Sequence, residues 1–123
     1  MDARPLVLVV DDDESVRESL PDLLKALGYR VQTFSSAEAL LASAVLDHTD
    51  CLILDMAMPG MTGLELYREL KNRARNIPVI FITAHKDSAM RSRIMDQGAV
   101  ECLYKPFTDT SLLAALEVAV ARS

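Results

Sequence analysis

Asp11, Asp12, Asp13 and Glu14 follow directly on an apolar run, Leu6-Val7-Leu8-Val9-Val10. Neighbouring carboxylates raise one another's pKa, so such a cluster at the tip of a buried strand is a poor resting arrangement for a bare protein. A hard divalent cation relieves the repulsion, and Mg²⁺ takes oxygen ligands while sharing a carboxylate or two with a phosphate. Other polar residues follow apolar runs in the same way: Asp55 after Cys51–Leu54, Thr83 at the end of Val79–Thr83, and Lys105 after Glu101–Tyr104. Carboxylates, a divalent metal, an ammonium group and a hydroxyl donor together suit phosphoryl transfer, in which positioning and charge neutralisation dominate. The nucleophile would be a carboxylate, giving an aspartyl phosphate. Asp55 is the best candidate. It stands alone on its strand end, and the Met58-Pro59-Gly60 turn beyond it would leave it accessible.

These groups meet only if the runs before them are strands of one sheet. The chain alternates short apolar runs with longer amphipathic stretches. Strands are predicted at Leu6–Val10, Arg30–Phe34, Cys51–Leu54, Val79–Thr83 and Glu101–Tyr104. Glu14–Leu27 reads as a helix, with Val16, Leu20, Leu23, Leu24 and Leu27 at helical spacing and Gly28 as its stop. Pro21 falls inside it and should remove a hydrogen bond and kink it, but the apolar periodicity continues past the proline, so the helix is kept and a break there is the main alternative. Ser35 with Glu38 matches a capping box that opens a helix through about Leu46. Further helices are predicted over Leu64–Arg73 and Asp87–Gln97, the latter closed by Gly98. Thr108 caps a last one running to about Arg122. The result is a (βα)₅ alternation whose central strands are almost wholly apolar, the signature of a parallel sheet covered by helices on both faces. In open sheets of this kind ligands bind beyond the C-terminal strand ends, where the chemical residues fall.

The bulk properties agree. At 123 residues the chain has the length of one domain. Half of it is hydrophobic and a quarter charged, ordinary for a globular protein. No apolar run approaches the ~18 residues of a membrane span, and Met1-Asp2-Ala3-Arg4-Pro5 has no signal-peptide pattern, so a cytoplasmic location is expected. A net charge of −5 argues against direct nucleic-acid binding. Cys51 and Cys102 sit in apolar surroundings and read as small buried hydrophobes, not as a disulfide or zinc pair.

VLVVDDD at 7–13, LILDMAMPGMTGLEL at 52–66, PVIFITA at 78–84 and YKPF at 104–107, in this order and spacing, resemble a response-regulator receiver domain along nearly the whole chain. The D-x-x-M-P-G-M-x-G-L-E-L wording, with Gly98-Ala99-Val100 before the fifth strand, is most similar to the FixJ-type subgroup. The resemblance implies a flavodoxin-like, doubly wound five-stranded parallel sheet, forming one receiver domain over 1–123. It implies that Asp55 accepts phosphate from a sensor histidine kinase. Asp11 and Asp12 would hold Mg²⁺ with Asp55 and the backbone carbonyl of Ala57. Lys105 would contact the phosphoryl oxygens, Thr83 would turn its hydroxyl toward them, and Lys105-Pro106 would be a cis peptide. Asp13 lies beyond the acidic pair and reads as a solvated helix-start charge. His48 and His85 read as solvent-facing. Regulators of this subgroup usually dimerise through the face of the fourth helix, fifth strand and fifth helix and reach DNA through a helix-turn-helix domain. That output domain is absent from this chain, which is expected to be the N-terminal piece of a transcription regulator. A stand-alone regulator is the alternative.

One departure stands out. Receivers commonly carry an aromatic residue three positions before the lysine, and here that position is Cys102. Tyr104 shares its strand face and is expected to take over part of the switching role. Other readings fit less well. Asp11 and Asp12 could merely cap a helix, but that leaves Asp55, Thr83 and Lys105 unexplained. A flavin carrier needs a Ser/Thr/Gly-rich phosphate loop where this chain has DDDES. An aspartyl phosphatase needs an acid where Ala57 stands. The domain is therefore expected to be a signalling switch that promotes its own phosphorylation and dephosphorylation, not an enzyme acting on a separate substrate. A degenerate receiver, binding partners without phosphorylation, stays open because of Cys102.

Overall fold

Every residue of β1 (Leu6–Val10), β3 (Cys51–Asp55) and β4 (Val79–Thr83) is buried, as expected of runs apolar on both faces. β2 (Arg30–Phe34) and β5 (Glu101–Tyr104) are only partly buried, and they form the two edges. All neighbours pair in parallel, in the order β2-β1-β3-β4-β5. The computed structural model describes residues 3–122; Met1, Asp2 and Ser123, the outermost positions of the anticipated domain, lie outside the described residues.

Alternation along the strands feeds two cores. Val7, Val9, Ile53, Ile80 and Ile82 face α1 (Glu14–Ala26) and α5 (Asp109–Arg122), which contribute Leu20, Leu24, Leu112 and Leu116. Leu8, Val10, Leu52, Leu54, Phe81 and Cys102 face the other way, toward α2 (Ala37–Leu41), α3 (Gly63–Asn72) and α4 (Ser88–Asp96). On that side Tyr67 meets Phe81 edge-on, with ring centroids 5.3 Å apart. Cys51 and Cys102 are both free and buried, one in each core. No helix of the described residues is long and apolar enough to cross a membrane.

One helix runs as expected against its alternative, and one expectation changes. α1 continues unbroken through Pro21. An interior proline costs about 3 kcal/mol, but Leu20 and Leu24 on either side are buried, and each contributes roughly 1.5–3 kcal/mol. The helix expected from Ser35 to Leu46 is shorter and starts one residue later. Ser36 is the cap, its Oγ accepting from the Ala39 N–H at 3.1 Å. With Ser36 in that role the third helical residue is Ala39, so Glu38 cannot close a capping box. The helix stops at Leu41, and Ser43 caps a separate 3₁₀ turn over Ala44–His48 by accepting from the Val45 N–H. Serine offering its own acceptor to the backbone is a local competitor of the helix.

Candidate functional site

The strand order reverses between β1 and β3, opening a crevice at their C-terminal ends. Asp11 follows β1 and Asp55 ends β3 at that crevice. Thr83 ends β4, paired with Tyr104 of β5, and Lys105 follows β5. Asp11, Asp55 and Thr83 are the buried polar side chains among the described residues.

Asp11 is fully buried and Asp12 exposed, yet both lie with Asp55 so that one carboxylate oxygen of each falls within 4.8 Å of the others. Asp11 accepts from the Asp13 N–H at 2.9 Å and from the Lys105 ammonium at 2.9 Å. The same ammonium stands 3.9 Å from Asp55 Oδ2. Asp55 Oδ1 accepts a long hydrogen bond from the Ala57 N–H at 3.4 Å. Burial, and then the neighbouring Asp11 charge, push the Asp55 carboxyl up to about 7, while Lys105 works in the opposite direction. Three hard oxygen donors in so small a space, one of them reluctant to ionise alone, fit a small divalent cation. Receiver domains bind Mg²⁺ at an acidic cluster of this kind.

Thr83 Oγ1 accepts from the His85 N–H at 3.1 Å, and the Thr83 carbonyl accepts from the Lys105 N–H at 2.7 Å. The following peptide, Lys105–Pro106, is cis. His85 and His48 are exposed. Asp13 caps α1, its Oδ1 accepting from the Ser15 N–H. Beside Thr83 lies a cavity of about 140 Å³, lined in part by Met56, Met90, Cys102 and Tyr104. Asp11, Asp12, Asp55, Ala57, Thr83, Tyr104 and Lys105 therefore gather at one end of the sheet, with Cys102 two residues back along β5 in the core.

Three supporting features were not singled out by the sequence reading. Gly63 opens α3 against the backbone of Asp55, where a Cβ would lie 2.1 Å from the Asp55 carbonyl oxygen. Thr62 and Glu65 form a reciprocal capping box that fixes the start of the same helix. The T-x-x-E spacing was a readable signal for it. Arg17 of α1 donates to the Asp11 carbonyl at 2.9 Å and so braces the acidic loop from the other face. Only the tertiary fold could reveal Gly63 and Arg17 in these positions.

The model of the response regulator receiver domain family matches residues 7–117. Nodulation protein W of Bradyrhizobium diazoefficiens is 44% identical over 119 residues, covering 97% of this chain and 52% of that protein. The transcriptional regulatory protein FixJ of Rhizobium meliloti is 44% identical over 111 residues, covering 90% of this chain and 54% of that protein. The chain thus spans about half the length of these curated relatives. Among solved structures, the response regulator StyR superposes with a TM-score of 0.89 at 47% identity, over 98% of this chain and 61% of that one. The structure titled FixJ-N superposes with a TM-score of 0.85 at 40% identity, over 97% of this chain and 95% of that one. The chain belongs to the response-regulator receiver domains, signalling modules that serve sensor kinases in two-component systems.

Proposed function

We propose that Asp55 accepts a phosphoryl group from a phosphohistidine of a sensor histidine kinase. The observation that carries this reading is the convergence of Asp11, Asp12, Asp55 and Lys105 at the C-terminal sheet edge, with Thr83 beside them. An Asp55 carboxylate oxygen bonds to phosphorus as the P–N bond to the kinase imidazole breaks, and the released nitrogen takes up a proton. Asp11, Asp12, Asp55 and the Ala57 carbonyl would hold Mg²⁺, which supplies charge neutralisation at the phosphoryl oxygens. Lys105, already within reach of both buried carboxylates, donates to the phosphoryl group. The Thr83 hydroxyl leaves the His85 N–H and turns toward the new acceptor oxygens. The domain speeds its own phosphorylation and the later attack of water, and it acts on no separate substrate.

The switch runs from Thr83 to Tyr104, its partner across β4 and β5. With Cys102 leaving space beneath, Tyr104 turns inward and remodels the face of α4, β5 and α5, through which two copies pair. In a longer protein that face would govern a DNA-binding output domain. The half-length match to transcription regulators supports this. The kinase histidine would meet the domain in the cytoplasm.

Intact mass after incubation with a small-molecule phosphodonor and Mg²⁺ tests the reading. Wild type should gain one phosphoryl mass, and Asp55→Asn or EDTA should prevent it. No adduct on folded wild-type protein would overturn the reading in favour of an interaction module that works without phosphorylation.

A further inference from the structure

The cavity beside Thr83 has a chemistry of its own. Its walls include the thioethers of Met56 and Met90, the Cys102 thiol and the Tyr104 ring. Thr83, His85, Asp87 and Arg91 form its polar margin. Thr83 Oγ1 accepts from the His85 N–H, and Asp87 Oδ1 accepts from the Met90 N–H at 3.0 Å. The Arg91 guanidinium pairs with Glu101 and reaches the Cys102 carbonyl. Burial raises the Cys102 pKa, so the thiol is a neutral wall. A trapped water wants two to four polar partners; the wall of Met56, Met90, Cys102 and Tyr104 offers chiefly carbon and sulfur, and the polar His85 and Asp87 stand at the exposed margin.

Size points the same way. An apolar cavity of roughly 150 Å³ stays dry and takes up benzene. The space here is about 140 Å³ and opens to solvent beside the exposed Ala57, His85 and Asp87. Polarisable sulfur favours the edges of aromatic rings, and Met56, Met90 and Cys102 supply three such atoms. We infer that this cavity is a binding site for a small uncharged apolar molecule, about the size of one six-membered ring. Its location gives occupancy a consequence, which rests on the inward turn of Tyr104 proposed above. Ligand and inward ring claim the same space, so a bound molecule holds the unphosphorylated arrangement. Linkage then requires the phosphoryl group to weaken the ligand by the same factor.

Methyl NMR of methionine-labelled protein, titrated with benzene, tests both parts. Saturable shifts of the Met56 and Met90 methyls, with Met61 and Met95 unmoved, are the expected result. Cys102→Phe, which fills the cavity, should abolish them. Cys102→Leu serves if the larger ring prevents folding. Linear shifts without saturation, shifts shared by all methionines, or unchanged binding in the filled variant would overturn the site. A repeat with beryllofluoride and Mg²⁺ reads the coupling separately. Weaker benzene binding supports competition with Tyr104, whereas equal binding overturns the coupling and leaves the cavity site standing.

Discussion

Asp11 is a fully buried carboxylate, and its stability rests on two donors, the Asp13 N–H and the Lys105 ammonium. Removing one partner of a buried ion pair strands the other charge, at a cost of about 3–5 kcal/mol. Lys105 retains some solvent exposure, so the lower part of that range applies. Lys105→Met should therefore lower the denaturation midpoint of the metal-free chain and recover part of the loss when Mg²⁺ is added. A variant as stable as wild type in EDTA would show that the pair contributes nothing. Asp55 makes a second residue-scale prediction. Its carboxyl titrates at about 7 in the folded chain, against about 3.9 unfolded. Between those values the folded state keeps a proton that the unfolded state has lost. Stability therefore falls as pH rises through that window and levels off above the folded value. Asp55→Asn removes the penalty. In EDTA at pH 8 it should stabilise the chain by roughly 1–4 kcal/mol relative to its effect at pH 4. Mg²⁺ should shrink that advantage. Urea unfolding of both proteins across the pH range measures it, and a pH-independent difference would refute it.

At the scale of elements, the start of α3 is the most constrained point near the site. A Cβ on Gly63 would overlap the backbone of Asp55 and Met56, none of which is a flexible side-chain tip. Gly63→Ala must push α3 or the β3–α3 loop outward, at roughly 1–3 kcal/mol for overpacking. It should lower urea stability and slow phosphoryl uptake together, because Asp55 shares the strained backbone. Unchanged uptake would mean that the loop relaxes without moving the carboxylate. Elements whose signal is local were legible in the sequence. The central strands announce themselves by apolar runs such as Val79-Ile80-Phe81-Ile82, and each run stops at a charged or hydroxyl residue, here Thr83. The site was legible for the same reason, since parallel strands bring their C-terminal ends to one edge whatever the helices do. α2 was misread because two adjacent serines offer two cap registers and a third, Ser43, cuts the helix. The helix was legible across Pro21 because the apolar periodicity that continues past it marks the leucines whose burial outweighs the lost hydrogen bond. Gly63 stayed hidden because its constraint is a contact with Asp55, eight positions away.

For the whole molecule, the question is how a charge added at the sheet edge reaches a distant surface. β5 is an edge strand whose last residue pairs with Thr83. Arg91 of α4 pairs with Glu101 of β5 and reaches the Cys102 carbonyl, so polar contacts tie α4 to β5. Val118 of α5 is 47% exposed, the exposed large hydrophobic among the described residues, and with Leu103 and Ala114 it lines a shallow apolar groove on the same edge. The inward turn proposed for Tyr104 would remodel this surface. Copies of a chain with net charge −5 repel at long range, so pairing should strengthen as salt screens them. Beryllofluoride with Mg²⁺ should therefore convert monomer to dimer in sedimentation velocity, more completely at about 0.3 M than at about 0.03 M salt, concentrations on either side of the physiological screening length. Tyr104→Ala should still take up a phosphoryl group, because Asp55, Lys105 and the acidic pair are untouched, yet stay monomeric. If that variant dimerises as well as wild type, the signal leaves Thr83 by a route other than β5, and the helix to examine is α4, whose cap, Asp87, stands four residues beyond Thr83.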